Sequence, residues 1–232
     1  MQKIVSLILF VSLCAFGSFA QQKPISKQFL LGRYNYRSDT SFVKVPGMYT
    51  DKTVYLKKET FKAFVKMRAA ALKEGVTLTI ISGTRSFYDQ SNKWESKWDN
   101  RDFTTYTRKN KVVKMLKWWS MPGTSRHHWG TDVDLTNLNL SFYSSPKGKK
   151  MYAWMQANAA KYGFYQPFNA NRPSGYQEEK WHWSYVPLAR VYLSAYVKQI
   201  SYADITGVKG AEVAGDIDII KNWVLAVNTQ CK

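Results

Sequence analysis

All three histidines of this chain fall in two short segments crowded with acids and aromatics. The first reads Ser125-Arg126-His127-His128-Trp129-Gly130-Thr131-Asp132-Val133-Asp134, the second Glu178-Glu179-Lys180-Trp181-His182-Trp183. A fold that uses these groups together has to carry two separated stretches to one point. Two imidazoles, one carboxylate and one spare carboxylate are the parts of a catalytic zinc site, in which three protein ligands leave a fourth position for water. The spare carboxylate then serves as general base. No other part of the sequence offers such a set.

Both segments read as strands. From Trp129 to Leu135 the residues alternate, with Trp129, Thr131, Val133 and Leu135 on one face and Gly130, Asp132 and Asp134 on the other. From Trp181 to Val186, His182, Ser184 and Val186 share a face. His127 lies seven positions before Asp134, an odd spacing that a regular strand cannot place on one side, so a turn or bulge near Gly130 is required. Glu179, three residues before His182, suits a turn that leads into the strand, where its carboxylate lies beside a metal without binding it. The plainer alternative is that these are structural histidines, as a single strand histidine usually is. The residues alone leave both readings open.

The rest of the sequence sets the context. Lys3, an apolar run from Ile4 to Phe16 and the small residues Gly17-Ser18-Phe19-Ala20 predict a signal peptide cleaved after Ala20. The run is short for a membrane anchor, and Leu13 before Cys14 argues against a lipoprotein. Cleavage lowers the formal charge from +18 to +17 and leaves Cys231 as the one cysteine, so no intrachain disulfide is expected and the fold must rest on its core or its metal. So basic a chain suggests an anionic partner, the alternative being a charge that only supports solubility. Export points away from nucleic acid and towards the anionic cell-wall surface. The chain is thus expected in the periplasm or outside the cell, with no transmembrane segment.

With 232 residues, 45% of them apolar, a single domain with a full core is expected. Residues 21–50 read as an irregular lead-in. A helix is expected over Lys57–Lys73, with Phe61, Phe64, Val65 and Leu72 inward and Gly75 as its stop. Val76–Ile81 reads as a strand, Ser82–Ser86 as a turn, Lys150–Tyr162 as a helix ended by Gly163. The remainder looks helical, including an amphipathic stretch near Asp218–Val227. Residues 99–120 are strongly basic and give no clear pattern. The fold class is α+β, a mostly antiparallel central sheet flanked by helices.

Four segments in register carry a family resemblance. Ser125-x-His127-x-x-Gly130-x-x-x-Asp134 resembles the SxHxxGxAxD signature of the VanY-like D-alanyl-D-alanine carboxypeptidases, zinc metallopeptidases of the lysostaphin/D-Ala-D-Ala/hedgehog superfamily. Glu179-Lys180-Trp181-His182 resembles their Glu-x-Trp-His, and Ser82-Gly83-Thr84-Arg85-Ser86 with Gln90 their Ser-Gly-Tyr-Arg-Ser…Gln. The stretch Ala153–Ala159 with Tyr162-Gly163-Phe164 resembles the intervening helix and Tyr-Gly-Phe strand.

The resemblance implies a hedgehog/D-Ala-D-Ala peptidase-like fold over residues 51–190, with 191–232 as a helical extension. It implies one zinc per chain on His127, Asp134 and His182, Glu179 as base, Arg85 steadying the oxyanion, and Ser125 and Gln90 touching substrate. The implied activity is removal of a terminal D-Ala from peptidoglycan stem peptides; the alternatives are cross-link endopeptidase, L,D-carboxypeptidase, or a non-catalytic wall-binding module. Two positions depart from the signatures. Thr84 replaces the tyrosine, and Asp132 replaces the alanine. An acid at 132 either hydrogen-bonds a metal ligand from outside or reshapes the pocket. His128 is left as a partly exposed neighbour and Glu178 as solvated surface.

Overall fold

The computed structural model describes residues 24–100 and 105–232, so the expected signal segment at 1–20 lies outside the described residues. The chain forms a short helix α1 (Lys27–Leu30), a hairpin of β1 (Phe42–Lys44) and β2 (Tyr55–Lys57), and helix α2 (Lys58–Lys73). Strand β3 (Ile80–Ser82) is followed by α3 (Phe87–Trp98) and by α4 (Arg108–Met115), the latter within the stretch without a clear pattern. Then come β4 (Asp132–Leu135), α5 (Pro146–Asn158), β5 (Phe164–Tyr165), β6 (His182–Tyr185) and α6 (Val186–Gln199).

The main sheet has the order β3-β4-β6-β5 and every pairing is antiparallel. This is the α+β single-domain architecture expected from the sequence. Register across the centre pairs Asp134 with His182, Val133 with Trp183 and Asp132 with Ser184. Alternation therefore sorts the two central strands into an apolar face and a polar one. Val133, Leu135 and Trp183 join Phe64, Met67 and Met155 in one core against α2 and α5. Asp132, Asp134, His182 and Ser184 occupy the other side, and all four are buried. A second core, with Trp94, Leu116, Trp129 and Tyr196 among its members, gathers α1, α3, α4, α6 and the C-terminal segment.

Several local expectations shift. Helix α2 buries Thr60, Phe64, Met67 and Ala71, while Leu72 is exposed, so the inward face is rotated from the one expected. Its stop holds: Gly75 has φ +68° and the chain turns back, with Val76 N–H donating to Ala71 O. In the expected strand Val76–Ile81, Val76, Leu78 and Ile80 are inward as the alternation requires, but pairing covers only Ile80–Ser82, because the partner β4 is four residues long. Helix α5 starts earlier, on a Ser145 cap with Pro146 in its first turn, and closes as a 3-10 turn over Ala159–Tyr162.

After α6 the chain runs in short 3-10 turns and one π turn at Ile220–Val224, not as the helix expected there. Its apolar residues Ile205, Val213, Ile217, Ile219 and Val224 are buried by docking on the second core, which does not require helical spacing.

Candidate metal centre and active site

The expected strand from Trp129 breaks at Gly130. Residues Arg126–Trp129 form a 3-10 turn, Gly130 follows at φ +72°, and the strand begins at Asp132. A Cβ on Gly130 would lie 2.3 Å from a Phe42 ring carbon, so both the backbone angle and the packing demand glycine. This turn resolves the odd spacing of His127 and Asp134 by carrying the His127 ring back over the polar face of the sheet.

His127 Nε2 and His182 Nδ1 each lie 3.4 Å from Asp134 Oδ1, and the two rings are 4.7 Å apart. The three donor atoms fall within 4.8 Å of one another, and all three side chains are buried. His127 Nε2 and Asp134 Oδ1 have no hydrogen-bond partner. Buried polar atoms without partners are costly, and these two face one point. Ligands at about 2.0–2.1 Å around a tetrahedral ion lie about 3.3–3.4 Å apart. Both imidazole–carboxylate separations match this spacing, and two imidazoles with a carboxylate are a donor set that suits zinc.

The proton positions follow from the partners. His127 Nδ1 is 2.7 Å from Gly83 O, which can only accept, so Nδ1 carries the hydrogen and Nε2 is left as a lone pair. Burial, with Arg85 nearby, pulls the His127 pKa down to about 4. His182 sits between acids: Nε2 is 2.8 Å from Asp132 Oδ2 and Nδ1 is 3.2 Å from Glu179 Oε2. Burial alone would lower its pKa, but Asp132 and Glu179 outweigh it and raise it to about 9. Burial works against ionised Asp134, yet the two imidazoles and Arg85 hold its carboxyl well below the usual range. Glu179 moves the other way, raised chiefly by burial, with His182 opposing.

Glu179 stands in the turn before β6, its N–H on Phe168 O and its carbonyl accepting from His182 N–H. Arg85 follows β3; its Nε is buried without a partner, and its backbone N–H donates to His127 O. Both line a cavity of about 880 Å³ with the three candidate ligands. Lys93, Lys97, Trp118, Trp119 and Phe168 form further parts of the wall. Gln90 also lines it, donating to Ser120 O and leaving Oε1 free. Ser125 is buried, its Oγ without a partner, and is not one of the side chains lining the cavity. Asp132 is fully buried and hydrogen-bonded to four side chains. Thr84, where the signature has tyrosine, turns its hydroxyl to Tyr55 O.

His128 corrects the sequence reading: it is 0% exposed. Nδ1 donates to Arg85 O at 2.8 Å and Nε2 accepts from Gly123 N–H at 3.0 Å, so it ties the Arg85 turn to the His127 turn. Its ring fills the space a side chain at Gly32 would need, a contact no local pattern announces. Glu178 is half-buried, accepting from Tyr152. Sequence reasoning also missed Arg126 and Thr131; the alternation that exposed Asp132 was the available signal for Ser184.

Residues 53–188 match the family model of VanY, D-alanyl-D-alanine carboxypeptidase. The chain is 32% identical over 172 residues to the putative carboxypeptidase YodJ of Bacillus subtilis, a match covering 70% of this chain and 58% of that protein. It therefore spans less than two-thirds of that relative's length. Among solved structures, the LdcB LD-carboxypeptidase is 29% identical with a TM-score of 0.51, covering 81% of this chain and 76% of the other. VanYB, solved in complex with D-Alanine-D-Alanine, shares the fold at 21% identity and a TM-score of 0.53, covering 72% and 93%. With its family model matched over more than half its length, the chain belongs to the VanY D-alanyl-D-alanine carboxypeptidase family.

Proposed function

We propose that this protein is an exported, zinc-dependent carboxypeptidase that removes a terminal D-Ala from peptidoglycan stem peptides. The observation that carries the reading is the convergence of His127 Nε2, Asp134 Oδ1 and His182 Nδ1 at a cavity wall, with Glu179 beside them. These three residues would hold one zinc ion per chain. When bound, such an ion acidifies water and polarises a carbonyl.

The chain's own groups supply the rest. Glu179, buried and with its pKa raised, is suited to take the proton of the attacking water and return it to the leaving amine. The Arg85 guanidinium, which among the described residues makes no ion pair with an acid, is available to the carbonyl oxygen as negative charge develops there. Gln90 Oε1 offers an acceptor to a substrate N–H. Trp118, Trp119 and Phe168 give that side of the cavity an aromatic wall against which the apolar part of a peptide can pack.

Among the described residues no helix is long and apolar enough to cross a membrane. The basic surface favours anionic wall material as the partner, and sacculus binding should weaken as salt rises while turnover of a short soluble peptide changes much less. A second reading, cleavage of an L,D bond, is favoured by the 29% identity to an LD-carboxypeptidase. Incubation with pentapeptide and tetrapeptide muropeptides, read by mass spectrometry with and without chelator, tests both. Chelator-sensitive loss of one terminal D-Ala from the pentapeptide supports the first reading and loss from the tetrapeptide the second. Cleavage of intact cross-links would point to an endopeptidase, and no cleavage in any mixture would overturn the reading.

A further inference from the structure

We propose that Asp132, the acid standing where the family signature has alanine, is a positioning residue for His182. The proposal rests on the zinc reading only for what His182 holds. Asp132 Oδ2 accepts from His182 Nε2 at 2.8 Å and from Arg126 Nε at 2.9 Å. Its other oxygen accepts from Thr131 Oγ1 and Ser184 Oγ, each at 2.8 Å. Arg126 Nη2 closes the ring by donating to Ser184 Oγ at 2.6 Å. None of the side chains of Arg126, Asp132 and His182 is more than 4% exposed.

This arrangement does more than pair two charges. An ionised carboxylate only accepts, so the proton of His182 is drawn to Nε2. Nδ1 is thereby left as the nitrogen that faces His127 and Asp134, the one available to a metal once the ring gives up its second proton. Three further donors, Arg126 on the 3-10 turn, Thr131 just before β4 and Ser184 on β6, fix the carboxylate in turn, so the His182 ring cannot rotate without breaking the set. Arg126 Nε stands 2.9 Å from the same carboxylate oxygen that meets His182 and sets a fixed positive charge beside it. With alanine at 132, His182 would lose this acceptor and Arg126 its counter-charge. A carboxylate behind a metal-bound imidazole fixes its orientation and raises its basicity, and losing such a partner costs about 10–100-fold in metal affinity.

The test uses zinc as the only ligand, measured by chelator competition on the full chain. Three variants are compared: Asp132→Asn, which keeps the shape; Arg126→Met/Asp132→Ala, which removes both charges so that neither is left unpaired; and Ser184→Ala, which spares the His182 contact. Circular dichroism and thermal melts screen each for folding. We expect the zinc dissociation constant to rise about 10–100-fold in the first two and less than about threefold in Ser184→Ala. A slowly exchanging His182 Nε2 proton should be visible in the ¹H–¹⁵N spectrum of metal-free wild type and vanish in the double variant. Folded Asp132→Asn and double variants that bind zinc within threefold of wild type would overturn the proposal, as would a retained Nε2 proton signal in the double variant. Zinc affinity needs no substrate. A protein that shows these shifts but cleaves no stem peptide would sink the functional reading alone. If wild type bound no zinc at all, the functional reading would fall and the proton signal would decide the role of Asp132.

Discussion

His127 stands on a four-residue turn and leans on the neutral carbonyl of Gly83, whereas His182 stands on a central strand and leans on the ionised carboxylate of Asp132. Both rings end with one nitrogen directed at Asp134, but their basicities diverge, to about 4 for His127 and about 9 for His182. The turn side is set by backbone geometry, with Gly130 and the contact to Gly83. The strand side is set by side-chain electrostatics, with a buried ion pair behind the His182 ring. The two halves of one site can therefore be damaged in different ways: one through conformation, the other through charge.

The largest effect on metal binding should come from removing either ring. His127→Ala and His182→Ala are each expected to weaken zinc binding by more than the ~100-fold that an outer partner is worth. Equilibrium dialysis checks this, and stoichiometric zinc surviving in the His127→Ala/His182→Ala double variant would refute the ligand set. Next, Arg85→Lys keeps the charge but loses the planar fork of donors. Removing an oxyanion donor costs about 10²–10³-fold, so a drop of at least tenfold in kcat/KM is expected, with zinc content unchanged; near-normal kinetics would reduce Arg85 to a structural group.

Two stability measurements separate the halves. Arg126→Met, on the charge-built side, leaves Asp132 buried without its counter-ion, and breaking a buried pair costs about 3–5 kcal/mol. Because His182, Thr131 and Ser184 remain around Asp132, the lower end of that range is expected in urea unfolding. Gly130→Ala, on the turn side, forces a left-handed residue at a cost of about 1–2 kcal/mol, to which the crowding of Phe42 adds in the measure that its ring cannot shift aside. If Arg126→Met proved harmless and Gly130→Ala severe, the contrast between the two sides would be reversed.

The sequence made the pairing of acids and histidines legible because strand alternation has period two: Asp134 and His182 lie opposite each other in register. It also exposed Asp132 as a departure, although not which nitrogen it meets. Three things were hidden. The rotated face of α2 depends on where the sheet lies, and the pattern inside the helix contains Leu72 and Ala71 as competing inward positions. The burial of His128 depends on Gly32, far away in sequence. The C-terminal segment buries its apolar residues in irregular turns because a preformed core receives them, so its amphipathic spacing misled. Long-range packing is the common cause in all three, and local periodicity carries no information about it.

The most direct measurement compares wild type and Glu179→Gln, both loaded to equal zinc occupancy, for D-Ala release from a stem pentapeptide. Glutamine keeps the size of the side chain but cannot accept the proton from the attacking water. The variant is expected to hold zinc and fold normally while turnover falls about 10²–10⁴-fold, and chelator is expected to abolish activity in wild type. Equal turnover in the two proteins, or wild-type activity that survives complete removal of zinc, would contradict this expectation.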